Sequence, residues 1–134
     1  MSPELSYLAW TAALTVLLWA PFIIARSLAV EFPNPRVYRD PTPPEMPDYI
    51  KRMDRAHLNA VETLVPFAAL ILIVQTAGLN NDQTALYAAV FFWARVAHAV
   101  VYWLGIPFAR TLAFGVGVAA TLGLAHVVLT APVA

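Results

Sequence analysis

Four stretches of the chain are apolar for long enough to cross a bilayer, and each is closed by polar or helix-breaking residues. They cover about Leu5 to Val30, Pro47 to Gly78, Gln83 to Leu104 and Ala109 to Ala131, each near or above the roughly 20 residues that a helix needs to span the hydrocarbon core. The punctuation between them is specific. Asn80-Asn81-Asp82 supplies N-cap oxygens for the third helix, while Gly105 and Pro107 end that helix and start the next. Between the first two helices, Phe32 to Met46 holds Pro33, Pro35, Pro41, Pro43 and Pro44, which forbid a continuous helix and predict an ordered, extended loop. The first apolar stretch has no basic start and no small-residue cleavage site before Arg26, so it reads as a retained span. The pattern predicts an all-α integral membrane protein, a four-helix transmembrane bundle forming a single domain over residues 1–134.

Polar residues stand out against this background. The stretch from Arg52 to Thr63 opens the second helix, and at 100° per residue Arg52, Arg55, Asn59 and Glu62 fall within an arc of roughly 80°. Arg95, His98 and Tyr102, spaced i, i+3 and i+7, share one face of the third helix. Arg95 lies about nine residues, or about 14 Å, inside that helix. A lone cation at such depth is costly and calls for an anionic partner. Glu62 sits at a comparable depth in the second helix, so a Glu62–Arg95 ion pair inside the bundle is expected. Pro66, four residues after Glu62, removes the hydrogen bond to the Glu62 carbonyl and predicts a free acceptor or a kink there. A buried pair of this kind can simply fix the register of two helices.

Composition agrees with the span pattern: 60% of the 134 residues are hydrophobic and 12% charged, with a mean hydropathy of +0.68. Net charge is zero and no Lys/Arg run is present, which argues against a nucleic-acid partner. With no cysteine, disulfides and thiolate metal sites are excluded, so any sulfur chemistry must come from a ligand. His57, His98 and His126 do not share a face with carboxylates at ligating spacing, and no metal site is expected. Arg26, Arg36, Arg39, Lys51, Arg52 and Arg55 lie in or beside the first connection and Arg110 opens the fourth helix. The positive-inside rule therefore places residues 31–48 and 105–108 in the cytoplasm and both termini on the non-cytoplasmic side.

The remaining polar residues form a donor-rich, cationic pocket at that membrane face: Arg52, Arg55 and Asn59 on the second helix, His98 and Tyr102 on the third, with Arg26 and Arg110 nearby. Such a pocket suits a small anion carrying several carboxylates. Arg36, Arg39 and Lys51 read instead as solvated topology determinants. His57 points away from the polar face, toward packing or a neighbour. Gly115, Ala119 and Gly123 recur every four residues and read as a helix-packing seam, and Trp10, Trp19, Trp93 and Trp103 as interfacial anchors or lipid contacts.

The string R-A-H-x-N-x-x-E-T at Arg55 to Thr63, followed by Pro66-Phe67, and the later R-V-A-H-x-V-x-Y at Arg95 to Tyr102 resemble the two signatures of the MAPEG family, membrane-associated proteins in eicosanoid and glutathione metabolism. Arg26 with Phe32, Asn34 and Pro35, and later Arg110-Thr111, keep the family order. The resemblance implies a homotrimer of four-helix subunits that binds glutathione as co-substrate between neighbours near the cytoplasmic face. It implies glutathione transfer to lipophilic electrophiles, reduction of lipid hydroperoxides, or prostaglandin isomerisation. Carried over by position, Arg26, Arg55, Asn59, Glu62, His98 and Tyr102 bind glutathione, and Arg110 with Thr111 activates its sulfur. A free thiol with a pKa of about 8.5 is mostly protonated at neutral pH, and nearby guanidinium and hydroxyl donors favour the thiolate.

Departures narrow the expectation. Thr111 stands where prostaglandin E synthase members have serine, Phe114 replaces a tyrosine, and Val37 replaces an acidic residue. These changes argue against prostaglandin synthesis and leave transferase or peroxidase activity, with the lipophilic substrate entering laterally from the membrane lipids. The compact chain with short polar turns points to the prokaryotic branch, hence the bacterial inner membrane. Two further readings of the same fold are a non-catalytic lipid-binding scaffold, which glutathione binding would disfavour, and an accessory membrane subunit, which a stoichiometric partner would reveal.

Overall fold

The computed structural model describes residues 1–29, 35, 39 and 45–132. Among them run four long helices, α1 (Pro3–Ala29), α2 (Asp48–Thr76), α3 (Asp82–Leu104) and α4 (Pro107–Leu129). All four are long and apolar enough to cross a membrane, and no strand occurs among the described residues. The four-helix architecture is the one the apolar pattern predicts. Phe32, Asn34, Arg36, Val37 and the loop prolines Pro33, Pro41, Pro43 and Pro44 lie outside the described residues. Pro35 and Arg39 are helical rather than extended, which proline's fixed φ near −65° permits in a first helical turn.

The ends of α3 explain why α3 and α4 form the most extensive interface of the bundle. At its start, Asn81 Oδ1 accepts from the backbone N–H of Gln83 at 2.9 Å and of Thr84 at 3.0 Å, and Thr84 Oγ1 accepts from Asn81 N–H at 2.9 Å. This is a reciprocal capping box. At its end, Gly105 takes φ 74°, a left-handed C-cap, and Pro107 opens α4 two residues later. The reversal is therefore short, and two helices laid back to back must pack along their length. Arg52 completes this end: its Nε donates to the Trp103 carbonyl at 3.2 Å, placing a cation at the negative end of the α3 dipole. That gives Arg52 a capping role at the end of α3.

Two apolar clusters fill the interior. Phe67, Ile71 and Val74 of α2 meet Ala88 and Phe91 of α3 and Ala120 and Leu124 of α4, with the Phe67 and Phe91 rings stacked at 3.9 Å. A smaller cluster joins Leu18, Ala60 and Ala99, with Leu14 and Trp103 against it. In lipid, apolar burial brings little hydrophobic gain, so close packing and polar ties carry the association. Close approach is concentrated at two glycines. A Cβ on Gly123 would lie 2.6 Å from the Tyr87 ring, and one on Gly117 would lie 2.9 Å from Arg95 Cζ. The expected seam is thus corrected: Gly123 belongs to it, but Gly115 faces open space and Ala119 is exposed. The helix is turned so that Gly117, Ala120 and Leu124 line the interior. Trp10, Trp19 and Trp93 are exposed as lipid contacts would be, whereas Trp103 packs inward.

A polar tie closes the end of the bundle where α1 begins. Glu4 is only 1% exposed; its Oε1 accepts from Thr84 Oγ1 at 2.6 Å, and Ser2 Oγ donates to Gln75 Oε1 at 2.7 Å. Thr84 thus serves the cap of α3 and the docking of α1 together. Thr84→Val, which keeps shape and removes the hydroxyl, is expected to cost about 2 kcal/mol, within the range for unsatisfied buried partners and lost caps. Thermal unfolding in detergent checks this, and an unchanged midpoint would mean that Glu4 finds another donor.

Candidate functional site

The opposite end of the bundle carries the cations. Arg95, the fourteenth residue of α3, is 2% exposed. Its Nη1 donates to Asn59 Oδ1 at 3.0 Å and reaches Thr63 Oγ1 at 3.4 Å, while its Nη2 donates to the carbonyls of Ala113 and Phe114, both at 3.3 Å. One side chain therefore links α2, α3 and α4. Its guanidinium also lies 5.4 Å from the Phe91 ring centroid and 5.5 Å from that of Phe114, within cation–π range.

The expected Glu62–Arg95 ion pair is not formed. Among the described residues the ion pair within 4 Å is Lys51–Asp48, one turn apart on the exposed start of α2, at 3.7 Å. Glu62 is exposed, and the rotation of α2 brings Asn59 and Thr63 toward Arg95 in its place. The guanidinium is thus solvated by four neutral oxygens, each capable of accepting from a cation.

From Arg95 a run of aromatic contacts leads to Arg110. Phe114 lies 6.2 Å from the His98 ring, His98 meets Tyr102 edge-on at 5.3 Å, and Arg110 Cζ stands 4.8 Å over the Tyr102 ring. His98 is 4% exposed, and Arg110 and Tyr102 are half-buried. Arg110 sits in the first turn of α4, where the helix dipole already supplies positive potential. A cation there works against the dipole, so its placement is not explained by helix stability. Two guanidiniums flank one buried imidazole, and this end of the bundle is an electropositive, partly enclosed surface.

Other sequence-selected residues lie at the surface of the subunit. Arg26, Arg55, Glu62 and Thr111 are exposed. The Thr111 hydroxyl donates to the Pro107 carbonyl at 3.3 Å, a long bond from which its single proton must turn before the hydroxyl can donate to an anion. Glu62 lines a cavity of about 300 Å³ together with Asn59, Thr63, Pro66, Phe91 and Phe114. His57 turns toward α1, with Nδ1 3.2 Å from the Thr15 carbonyl, as its position away from the polar face implied. Sequence reasoning did not single out Thr63, which accepts from Arg95, Phe114 as a ring against both Arg95 and His98, or Gly117 as the space that admits the guanidinium. Thr63 closes the first signature and could have been found by its i+4 relation to Asn59; the other two depend on how α4 is rotated. Among the described residues, no group of three or more His, Cys, Asp or Glu side chains is placed to hold a metal ion.

Four apolar helices with a cationic and aromatic cluster set into one end define a multi-pass membrane bundle with a polar site inside it. The chain belongs to the MAPEG family, whose model matches residues 5–130. It is similar to "Microsomal glutathione S-transferase 1" of Bos taurus, at 35% identity over 80 residues, covering 59% of this chain and 52% of that protein. The Homo sapiens protein of the same name is 34% identical over 80 residues, with the same coverage. That of Rattus norvegicus is 35% identical over 78 residues, covering 58% and 50%. The chain spans about half the length of these relatives. It is an integral membrane protein of a family with glutathione transferases among its members.

Proposed function

We propose that the protein is a membrane-bound glutathione-dependent transferase or peroxidase, working as a homotrimer on lipophilic electrophiles or lipid hydroperoxides drawn from the bilayer. The observation that carries this reading is the line of contacts from Arg95 through Phe114, His98 and Tyr102 to Arg110, which sets two guanidiniums and no carboxylate in one run of side chains within a chain of zero net charge. Glutathione carries two carboxylates and a thiol, and its thiolate is the nucleophile. Arg110, with the Thr111 hydroxyl beside it, stabilises the sulfur anion, while Arg26, Arg55, Asn59, Glu62, His98 and Tyr102 hold the tripeptide. In transfer, the thiolate forms a C–S bond and the leaving group departs as an anion. In peroxide reduction, two glutathione thiols become a disulfide as the hydroperoxide becomes an alcohol and water.

Glu62 supports the trimer. A carboxylate exposed midway along a membrane-crossing helix costs several kcal/mol in lipid, and a second copy with glutathione between the two would cover it. The distribution of cations supports a cytoplasmic site, with both termini on the far side.

The test is a titration of the detergent-purified protein with glutathione, following thiolate absorbance in the ultraviolet, together with its mass in detergent. Thiolate formed near neutral pH on a trimer is expected; no binding at millimolar glutathione would turn the assignment to a lipid-binding scaffold. Tyr102 separates two parts of the site. Tyr102→Phe keeps the ring under Arg110 and is expected to raise KM with little change in kcat. Tyr102→Leu removes the platform and should lower kcat roughly 10-fold, the equivalent of a partly desolvated cation–π contact. Equal effects of the two would deny the ring its role.

A further inference from the structure

Arg95 is too deeply buried to meet a ligand, yet it is bonded to a residue that lines the cavity. A guanidinium only donates, so the Asn59 carboxamide can meet Arg95 Nη1, 3.0 Å away, only through its oxygen. The other nitrogen, Nη2, is anchored on the Ala113 and Phe114 carbonyls, and the group is held between the Phe91 and Phe114 rings in the space left by Gly117. Asn59 has therefore no freedom to turn its amide over, and its two N–H bonds are left for the cavity it lines with Glu62 and Phe114.

We propose that Arg95 is a positioning residue for glutathione binding: it locks the Asn59 amide oxygen-inward, so that Asn59 offers the cavity donors alone and selects an oxygen acceptor on the bound tripeptide. This role rests on the function proposed above and adds to it the polarity of one contact and the residue that sets it. An asparagine without such a partner presents donor or acceptor with similar ease, and part of the binding free energy would be lost in ordering it.

The test is a double-mutant cycle on the full-length protein in detergent, with glutathione itself as the probe and its Kd as the readout. In Arg95→Gln the new amide can either donate or accept, which frees Asn59 to turn over. Its Kd is expected to rise about 10-fold, the scale of one charge-assisted hydrogen bond. In an Asn59→Ala background the same change should add nothing, and Arg95→Lys, which still only donates, should restore most of the affinity. A purely structural role would weaken binding whatever occupies position 59, so additive losses overturn the proposal. Where Arg95→Gln fails to fold, Asn59→Asp carries the test. It keeps an oxygen for Arg95, should retain or raise the thermal midpoint, and should still weaken glutathione about 10-fold because no N–H remains; unchanged affinity overturns the proposal. If the unaltered protein does not bind glutathione, the proposed function falls and this role with it; binding by the unaltered protein with a contrary mutant result overturns the role of Arg95 alone.

Discussion

Arg110→Ala is expected to lower the rate of glutathione conjugation to an activated aryl halide by about 100-fold or more, the scale seen when one donor to a developing or resident anion is removed, while the protein stays folded. The structural half of this expectation follows from where Arg110 sits. It occupies the first turn of α4, its contact is the face of Tyr102 at 4.8 Å, and the dipole at a helix N-terminus disfavours a cation by about 0.3–1 kcal/mol. Its removal should leave the thermal midpoint unchanged or slightly raised. The catalytic half follows from the thiolate: losing the adjacent charge returns the sulfur toward its ordinary titration, so the activity lost near neutral pH should be partly recovered at alkaline pH. Arg110→Lys should retain an intermediate rate, because the charge stays but the planar fork does not. A variant that keeps both its rate and its pH profile would remove Arg110 from the chemistry. A variant that unfolds would show that the cluster is architectural.

Gly117→Leu is expected to have the largest effect on stability, about 3 kcal/mol or more, and to abolish activity through Arg95. Even a single Cβ there would approach Arg95 Cζ to 2.9 Å and Nε to 3.0 Å. A mobile side chain could step aside at little cost, but this one is fastened by four hydrogen bonds and two aromatic rings. Overpacking of a fixed interior typically costs about 1–3 kcal/mol, and expelling the guanidinium from its oxygens adds the loss of charge-assisted bonds. Gly117→Ala should fall at the lower end of that range. Gly115→Leu is the control, because Gly115 meets nothing within 4 Å and should leave the subunit's unfolding midpoint near that of the parent. If Gly115 and Gly117 tolerate leucine equally, the register of α4 described above is wrong.

The polar residues divide instructively by how readable they were. Asn81, Thr84, Gly105 and Pro107 act through local backbone geometry, and each stands where its chemistry predicts. Asn59, Arg95, His98, Tyr102 and Arg110 fall into one cluster because helical spacing and the short α3–α4 reversal leave few other arrangements. The partner of Arg95 was not readable. Charge and depth both pointed to Glu62, yet at 100° per residue Glu62 lies about 140° around α2 from the centre of the face formed by Ala56, Ala60, Phe67, Ile71 and Val74, whereas Thr63 lies about 40° from it. That face is not evident beforehand, because in a membrane helix the residues toward lipid are as apolar as those toward the core: Val65 and Leu72 are exposed and Phe67 and Ile71 buried.

The four long helices among the described residues, their approximate limits, the turn that pairs the last two and the end of the bundle that holds the cations are written in the chain, since they depend on local propensity, span length and charge. The rotation of each helix about its axis is decided only in the folded bundle, by which small residues admit which large ones: Gly117 admits Arg95 and Gly123 admits Tyr87. From that rotation follow the neutral-oxygen shell of Arg95, the fixed amide of Asn59 and the exposure of Glu62, because a turn of some tens of degrees exchanges one neighbour for another without altering the apolar pattern.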